Sequence, residues 1–196
     1  MFIQVIKSRT SHPHEVRELA ESWKSAVGVP PGWLGSTYGI TDDGIVLGIV
    51  RFESREDAMA NSDRPEQTAF AERMSALMDG PIEFHDSVDV FLFLGVGSDD
   101  AGFVQVIRGR SSDNGIWARL LGDPSQLHAV RPDIIGGTVA IEADGTFTET
   151  VAFTDEASAR EGERNGAFPP DTADAFRALL EGAEFYDLRD PWFDSP

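Results

Sequence analysis

Residues 2–9 are mostly β-branched or apolar with polar residues interleaved, a pattern typical of a β-strand. After Pro13 the apolar spacing becomes that of an amphipathic helix, which we expect to run to about Val27. Segments 33–41 and 45–53 again have the pattern of strands, and together they predict a hairpin. Further helices are predicted from Ser54 and from Pro65 to about Asp79, followed by a strand from Ile82 to Leu94. The order of elements is βαββαβ.

This order recurs because the sequence is duplicated with an offset of 101 residues. Residues 2–7 read Phe-Ile-Gln-Val-Ile-Lys and residues 103–108 read Phe-Val-Gln-Val-Ile-Arg. The same offset relates the turn Asp43-Gly44 to Asp144-Gly145. The second copy therefore predicts a strand at 102–110, helix within 113–130, a hairpin at 133–153, helices within 155–182 and a strand at 183–189.

The fold class that follows is α+β, with two tandem ferredoxin-like βαββαβ units. We expect the first unit to span 1–94, a linker 95–101 and the second unit 102–196. In strand 2–9 both alternating sets are apolar, Phe2 and Ile6 on one face and Ile3 and Val5 on the other. Both faces of the sheet should therefore be buried, and sheet-to-sheet packing of the two copies as an intramolecular barrel would bury them.

Composition narrows the range of partners. Thirty-four acidic and sixteen basic residues give a net charge of −18, which disfavours binding to nucleic acid or an anionic membrane. The absence of cysteine excludes disulfides, thiolate metal sites and a cysteine nucleophile. No apolar run is long enough to span a bilayer, and no signal peptide is recognisable, so we expect a cytoplasmic protein that is a monomer or a weak homodimer.

Several segments carry a resemblance to a known family. They are Gly32-Trp33-Leu34-Gly35-Ser36-Thr37, Thr41-Asp42-Asp43-Gly44, Arg51-Phe52-Glu53-Ser54, Asn61-Ser62-Asp63-Arg64-Pro65-Glu66-Gln67, Phe84-His85-Asp86 and Asp187-Leu188-Arg189-Asp190-Pro191-Trp192. With these segments the chain resembles the dimeric α+β barrel superfamily, in its antibiotic-biosynthesis-monooxygenase-like branch, and within it duplicated actinobacterial members with no assigned role.

The resemblance implies a ligand in a cleft between the sheet and the helices, near the second helix of a unit. Haem-degrading relatives ligate iron through a histidine of that helix, but no histidine occurs in 54–79 or 155–182. Only His128 could serve as an axial ligand in the way the chlorite-dismutase-like branch requires. We therefore expect no haem, no metal and no other cofactor.

The polar run from Asn61 to Gln67 lies at this position, and the aligned residues 162–168 share none of it. Asn61 and Arg64 are candidate catalytic residues, because an amide and a guanidinium can stabilise an oxyanion. Alternatively, the run breaks and re-caps a helix. His85 is a third catalytic candidate, as a general base, if its strand face lines the pocket; the alternative is a structural, hydrogen-bonded ring.

Three further residues are candidates for substrate binding. Trp33 and Tyr38 could wall an aromatic pocket, although large aromatic residues of a small domain more often belong to the core. Gln4 could contact a ligand, but its repetition as Gln105 favours a structural role.

Two functions are compatible with these patterns. The first is small-molecule binding, with cofactor-independent monooxygenase or isomerase activity on a hydrophobic, oxygen-bearing substrate. The second is a non-catalytic binding or assembly module. A cavity of about 300 Å³ or more beside Asn61 and His85 would favour the first, and a filled space the second.

Overall fold

A computed structural model describes residues 1–87, 89–95, 99–111, 113, 115–121, 124–165 and 170–196, apart from the side chains of 119 and 124–126. The chain forms two compact units. Unit 1 comprises Met1–Val88 and Trp192–Pro196, and unit 2 comprises Asp89–Pro191. Parts of the predicted linker 95–101 and of segment 162–168 lie outside the described residues.

Strands and helices follow one another in the predicted order. The first copy contains β1 (Phe2–Arg9), α1 (Pro13–Glu21), α2 (Trp23–Val27), β2 (Trp33–Ile40), β3 (Ile45–Phe52), α3 (Arg55–Ser62), α4 (Pro65–Ser75) and β4 (Glu83–Ser87). The remaining elements are β5 (Asp89–Phe93), β6 (Phe103–Arg110), α5 (Gly115–Leu121), α6 (Pro124–Val130), β7 (Ile134–Ile141), β8 (Thr146–Phe153), α7 (Glu156–Asn165), α8 (Pro170–Leu180), β9 (Glu184–Leu188) and β10 (Trp192–Asp194).

Each unit contains one five-stranded antiparallel sheet. The strand order is β10-β2-β3-β1-β4 in unit 1 and β5-β7-β8-β6-β9 in unit 2. Because β1 and β6 occupy equivalent places, the α+β class and the tandem duplication are confirmed.

The edge strands differ from the prediction. The single strand expected from Ile82 to Leu94 is two strands: β4 pairs with β1, whereas β5 pairs with β7 in the other sheet. In the same way β10, which follows the second copy, pairs with β2 of the first. Segments 1–94 and 102–196 are thus the two copies of the repeated sequence. Each compact unit, however, contains one edge strand from outside its own copy: β10 in unit 1 and β5 in unit 2.

Local sequence explains the start of α3 and the turn before β3. The Ser54 hydroxyl accepts a hydrogen bond from the Asp57 backbone N–H at 3.1 Å, which caps α3 as the sequence predicts. Gly44, in the turn before β3, has φ of 85°, and a Cβ there would lie 2.6 Å from the Thr10 carbonyl oxygen. Its counterpart Gly145 has the same φ, so both copies need glycine at this turn.

Burial on both faces of β1 agrees with the prediction. On one face Ile3 and Val5 are buried together with Leu47 and Ile49 of β3. On the other face Phe2 packs into a core with the aromatic and aliphatic side chains of the helices, including Leu19, Trp23, Val27, Ala58 and Phe70. None of the helices in the described part of the chain is long and apolar enough to cross a membrane.

Candidate functional site

A cavity of about 150 Å³ lies in unit 1 between the sheet and its helices. Antiparallel partners point to the same side of a sheet, and Gln4, Ile6, Val50 and Gly48 form two such pairs on β1 and β3. All four line the cavity. Its floor is therefore the helix-facing side of the sheet, the position that the family resemblance implies.

The wall opposite is formed by the helices and is mainly apolar. It consists of Val16, Ala20, Trp23, Ala58, Asn61, Ser62, Gln67, Phe70, Ala71, Met74 and Met78. Among the described residues that line the cavity there is no Asp, Glu, His, Lys or Arg. A ligand would consequently meet hydrocarbon and a few neutral hydrogen-bonding groups.

Asn61 is one of three polar groups of the cavity whose bonding leaves a donor available, together with Gln67 at Nε2 and Trp192 at Nε1. Asn61 is buried at the end of α3, and its Oδ1 accepts a hydrogen bond from Arg64 Nη1 at 3.3 Å. Its carboxamide nitrogen, Nδ2, donates to no acceptor among the residues that the structure describes. Nδ2 is therefore free to donate to a ligand oxygen in the cavity.

Arg64 lies behind Asn61 and does not line the cavity. It donates to the carbonyl oxygen of Gly28 at 3.1 Å and to that of Val27, the last residue of α2. Carbonyls at the end of a helix lack intrahelical partners, and a guanidinium there is favourable. Arg64 thus ties the end of α2 to the break between α3 and α4 and orients the Asn61 carboxamide.

The other neutral polar groups of the wall already have partners. Gln4 Nε2 donates to Asp86 Oδ1 at 2.9 Å, and Gln105 makes the same bond to Asp187 at 3.0 Å. This repetition supports the structural role considered for Gln4. On the helix side, Gln67 Oε1 accepts a hydrogen bond from Trp23 Nε1 at 2.8 Å.

Tyr38 brings a phenol to the edge of the cavity. Its ring stacks on Trp192 with 5.8 Å between centroids and lies across Gly48, where a Cβ would be 3.1 Å from the ring. Burial raises the pKa of Tyr38 to about 12, against the opposing effect of its hydrogen bond with Ser36. The phenol is therefore neutral near pH 7 and serves as a hydrogen-bonding group, not as a base.

His85 and Trp33 lie elsewhere. His85 pairs with Val5, on the sheet face opposite the cavity, and its Nε2 is 3.4 Å from Glu83 Oε2. Trp33 belongs to the core beside the cavity, where its Nε1 donates to Ser36 Oγ at 3.1 Å. Of the six predicted site residues, Asn61, Tyr38 and Gln4 line one cavity, Arg64 supports it, and the other two do not line it.

Two residues of the cavity were not predicted as functional from the sequence. Gly48 makes room for the Tyr38 ring, and the mismatch between Gly48 and its repeat partner Glu149 was the available signal. Trp192 is not among the predicted site residues, because nothing in the local sequence shows that β10 joins the first sheet. Among the described residues, no three His, Cys, Asp or Glu side chains converge as metal ligands would.

Comparison with known proteins gives structural matches only. No protein-family model matches the sequence, and no curated protein matches it. A proposed monooxygenase from Fusobacterium nucleatum is similar with a TM-score of 0.73 at 10% identity, over 99% of this chain and 94% of that one. Another, from Lactobacillus acidophilus NCFM, gives 0.71 at 9% identity over 95% and 92%.

An anthrone oxidase-like protein is similar with a TM-score of 0.66 at 13% identity, over 99% of this chain and 92% of that chain. At these identities the agreement concerns the fold. The chain thus shares its full-length fold with structures described as monooxygenases or oxidase-like, as the family resemblance predicted.

Proposed function

We propose that, on this shared fold, the cavity of unit 1 binds a small, largely apolar molecule with a hydrogen-bond-accepting oxygen, and that the chain oxygenates it without a bound cofactor. The observation that carries the proposal is the donor at Asn61: its Oδ1 is held by Arg64, and its Nδ2 is available at a mainly apolar wall. Arg64 is a positioning residue in this scheme.

The volume limits the size of the substrate. An apolar protein cavity of about 150 Å³ accommodates one benzene ring. The cavity of unit 1 has about this volume, so the substrate class is a single ring with one or two oxygens, unless the helices move apart. Polycyclic compounds would not fit.

The chemistry follows from what lines the cavity. An activated CH₂ group next to a carbonyl reacts with O₂ to give a new carbonyl and water, so the substrate supplies the electrons and one oxygen atom leaves as water. The form that reacts with O₂ is the enolate, which arises by loss of a proton. Hydrogen bonds from Asn61 Nδ2 and from the neutral Tyr38 hydroxyl would stabilise the enolate oxygen.

The cavity offers no base for that proton. Tyr38 is neutral near pH 7, His85 lies on the other face of the sheet, and the described lining residues do not include another titratable group. The substrate should therefore be acidic enough to ionise in water, as cyclic 1,3-diketones are. This requirement separates the proposed substrates from simple ketones.

The alternative, a non-catalytic binding module, is favoured by one observation. The cavity has about half of the volume of 300 Å³ that we expect for a small-molecule enzyme site, and His85 does not adjoin it. In that case the same ligands would bind to Asn61 without turnover. The cytoplasmic location, the monomeric or weakly dimeric state and the lack of nucleic-acid partners remain proposals, supported by the net charge of −18 and the absence of cysteine.

The test combines binding with oxygen consumption. Cyclohexane-1,3-dione should raise the melting temperature and bind in calorimetry, whereas cyclohexanone, which is of similar size but hardly enolised, should bind at least about tenfold more weakly. Asn61→Ala should weaken dione binding by about tenfold, the equivalent of one lost hydrogen bond. Asn165→Ala, an exposed asparagine of unit 2, is the matched control.

Dione-dependent O₂ uptake that is lost in Asn61→Ala would support the monooxygenase. Binding without uptake would support the non-catalytic module. If neither the dione nor related cyclic enols bound, or if Asn61→Ala bound them as the parent protein does, the proposed site would be wrong.

A further inference from the structure

Unit 2 contains a cavity of about 180 Å³ at the position equivalent to that of unit 1. Eight of its lining residues occupy positions that line the first cavity, shifted by the repeat offset, and five of the eight are identical in the two copies. The identical residues are Gln105, Ile107, Val151, Phe153 and Phe185, which correspond to Gln4, Ile6, Val50, Phe52 and Phe84. The duplication has therefore kept a cavity in both units.

The chemistry of the second cavity differs because Glu149 stands where the first copy has Gly48. In unit 1 the Tyr38 ring covers that glycine. The residue corresponding to Tyr38 is Val139, whose smaller side chain leaves room for a longer one at position 149. Glu149 is also the partner of Ile107, which lines the cavity, so its side chain lies on the cavity side of the sheet.

Glu149 is only 5% exposed. None of the residues in the described part of the chain donates a hydrogen bond to its carboxylate, and the charged group that acts on it is the guanidinium of Arg131. Arg131 is itself occupied, because its Nε and Nη2 donate to the Asp133 carboxylate at 3.1 and 2.8 Å. A buried carboxylate without a partner of its own is unfavourable, so this arrangement requires an explanation.

The charges around the cavity leave Glu149 in excess. Arg131 and Asp133 form one ion pair, and Glu163, which lines the cavity from α7, forms another with Arg160 at 3.0 Å. The first pair contributes no net charge. Arg160 is shared by Glu163, Glu156 and Asp187, and Arg189 contacts the latter two, so this second group of charges is not positive either. A cation placed beside Glu149 would therefore meet a negative charge that the described residues do not compensate, within mainly apolar walls.

We propose that the cavity of unit 2 is a separate binding site for a small organic cation, a primary ammonium group on an apolar body of about one ring, with Glu149 as its carboxylate partner. The walls suit such a body, since Phe93, Phe153, Phe176 and Phe185 line the cavity. Aromatic faces attract cations and also pack against an apolar ring.

Protonation of Glu149 supports this assignment. Burial raises the pKa of Glu149 to about 7, and the nearby Arg131 opposes the shift. Near neutral pH the carboxyl is thus close to half ionised, and an ammonium ion would favour its ionised form. Cation binding should therefore strengthen from about pH 5 to about pH 8.

Calorimetry with benzylamine and benzyl alcohol tests the proposal, because the two molecules have the same ring and reach but only the amine is charged. At about pH 8 and moderate salt, benzylamine should bind at least about tenfold more tightly than the alcohol, and its affinity should fall by at least about tenfold at pH 5. Glu149→Gln should abolish the preference for the amine. Glu181→Gln removes an exposed carboxylate of the same unit and should not change it.

Equal binding of amine and alcohol to the unaltered protein would overturn the proposal. Loss of the preference for the amine in Glu181→Gln, or at about 0.5 M salt, would also overturn it, because either result would indicate attraction by the overall negative charge. If Glu149→Gln does not fold, the ligand comparison and the pH dependence of the unaltered protein still decide. The result is independent of the unit 1 proposal, because it concerns another cavity and a different ligand class.

Discussion

Arg64 Nη1 donates to Asn61 Oδ1 at 3.3 Å while the rest of the guanidinium binds the carbonyls that end α2. Arg64→Ala should therefore lower the free energy of unfolding by about 2–3 kcal/mol, the usual range for hydrogen bonds from a charged group, and should also weaken ligand binding. Asn61→Ala should weaken binding with a smaller loss of stability. Denaturant unfolding and calorimetry on both variants measure the two effects.

Arg55→Ala, at an exposed position of α3, controls for the loss of a positive charge. If Arg64→Ala left the unfolding free energy unchanged, the proposed tie between α2 and the helix break would be wrong.

Gly48 and Tyr38 should be energetically coupled. A Cβ at residue 48 would approach the Tyr38 ring to 3.1 Å, so Gly48→Ala should cost about 1–2 kcal/mol of stability. In a Tyr38→Val background, which imitates unit 2, the same substitution should cost about 1 kcal/mol less. Gly80→Ala is the control, because no atom lies within 4 Å of its added Cβ. Additive effects in a double-mutant cycle would contradict the close approach.

Tyr38 should ionise unusually late. In a Tyr186→Phe variant Tyr38 is the remaining tyrosine, and its tyrosinate absorbance should appear near pH 12 instead of near pH 10. Since the raised pKa means that the folded state holds this proton more tightly, stability should decrease as the pH rises from about 10 towards 12. Stopped-flow pH jumps can record the absorbance before unfolding. An ordinary midpoint near pH 10 in the folded protein would show that the phenol is solvated.

Glu149 makes stability depend on pH in the neutral range. Its pKa in the folded protein is about 7, above the ordinary value of 4.5, so the folded state is progressively disfavoured as the pH rises from about 4.5 through 7. Glu149→Gln removes this effect. Relative to the parent protein, the variant should gain up to about 3 kcal/mol between pH 4 and pH 8. Urea unfolding at several pH values measures the gain, which Glu181→Gln should not reproduce.

Much of the fold could be predicted because its causes are local or repeated. The offset of 101 residues, the cap at Ser54 and the glycine turn before β3 all appear in the structure. The split between β4 and β5 could not be predicted, since the segment from Ile82 to Leu94 contains no proline or glycine to interrupt a strand and the partner strand is chosen by tertiary contacts.

The candidate site shows the same limit. Alternation along β4 places His85 on the same strand face as Glu83 and Ser87, but which face of a strand meets the helices is not a local property. The polar run from Asn61 onwards indicated the region of the cavity. That Asn61 lines the cavity while Arg64 lies behind it depends on hydrogen bonds from Arg64 to carbonyls 36 and 37 residues away in sequence. Only the structure brings these groups together.

The exchange of edge strands has a consequence for folding during synthesis. The strands of the second sheet, β5 to β9, all lie between residues 89 and 188, whereas the first sheet needs β10, which ends at residue 194. Until those last strand residues leave the ribosome, one edge of β2 has no partner and is open to incorrect pairing. The copy that is synthesised first is therefore the one whose sheet is completed last.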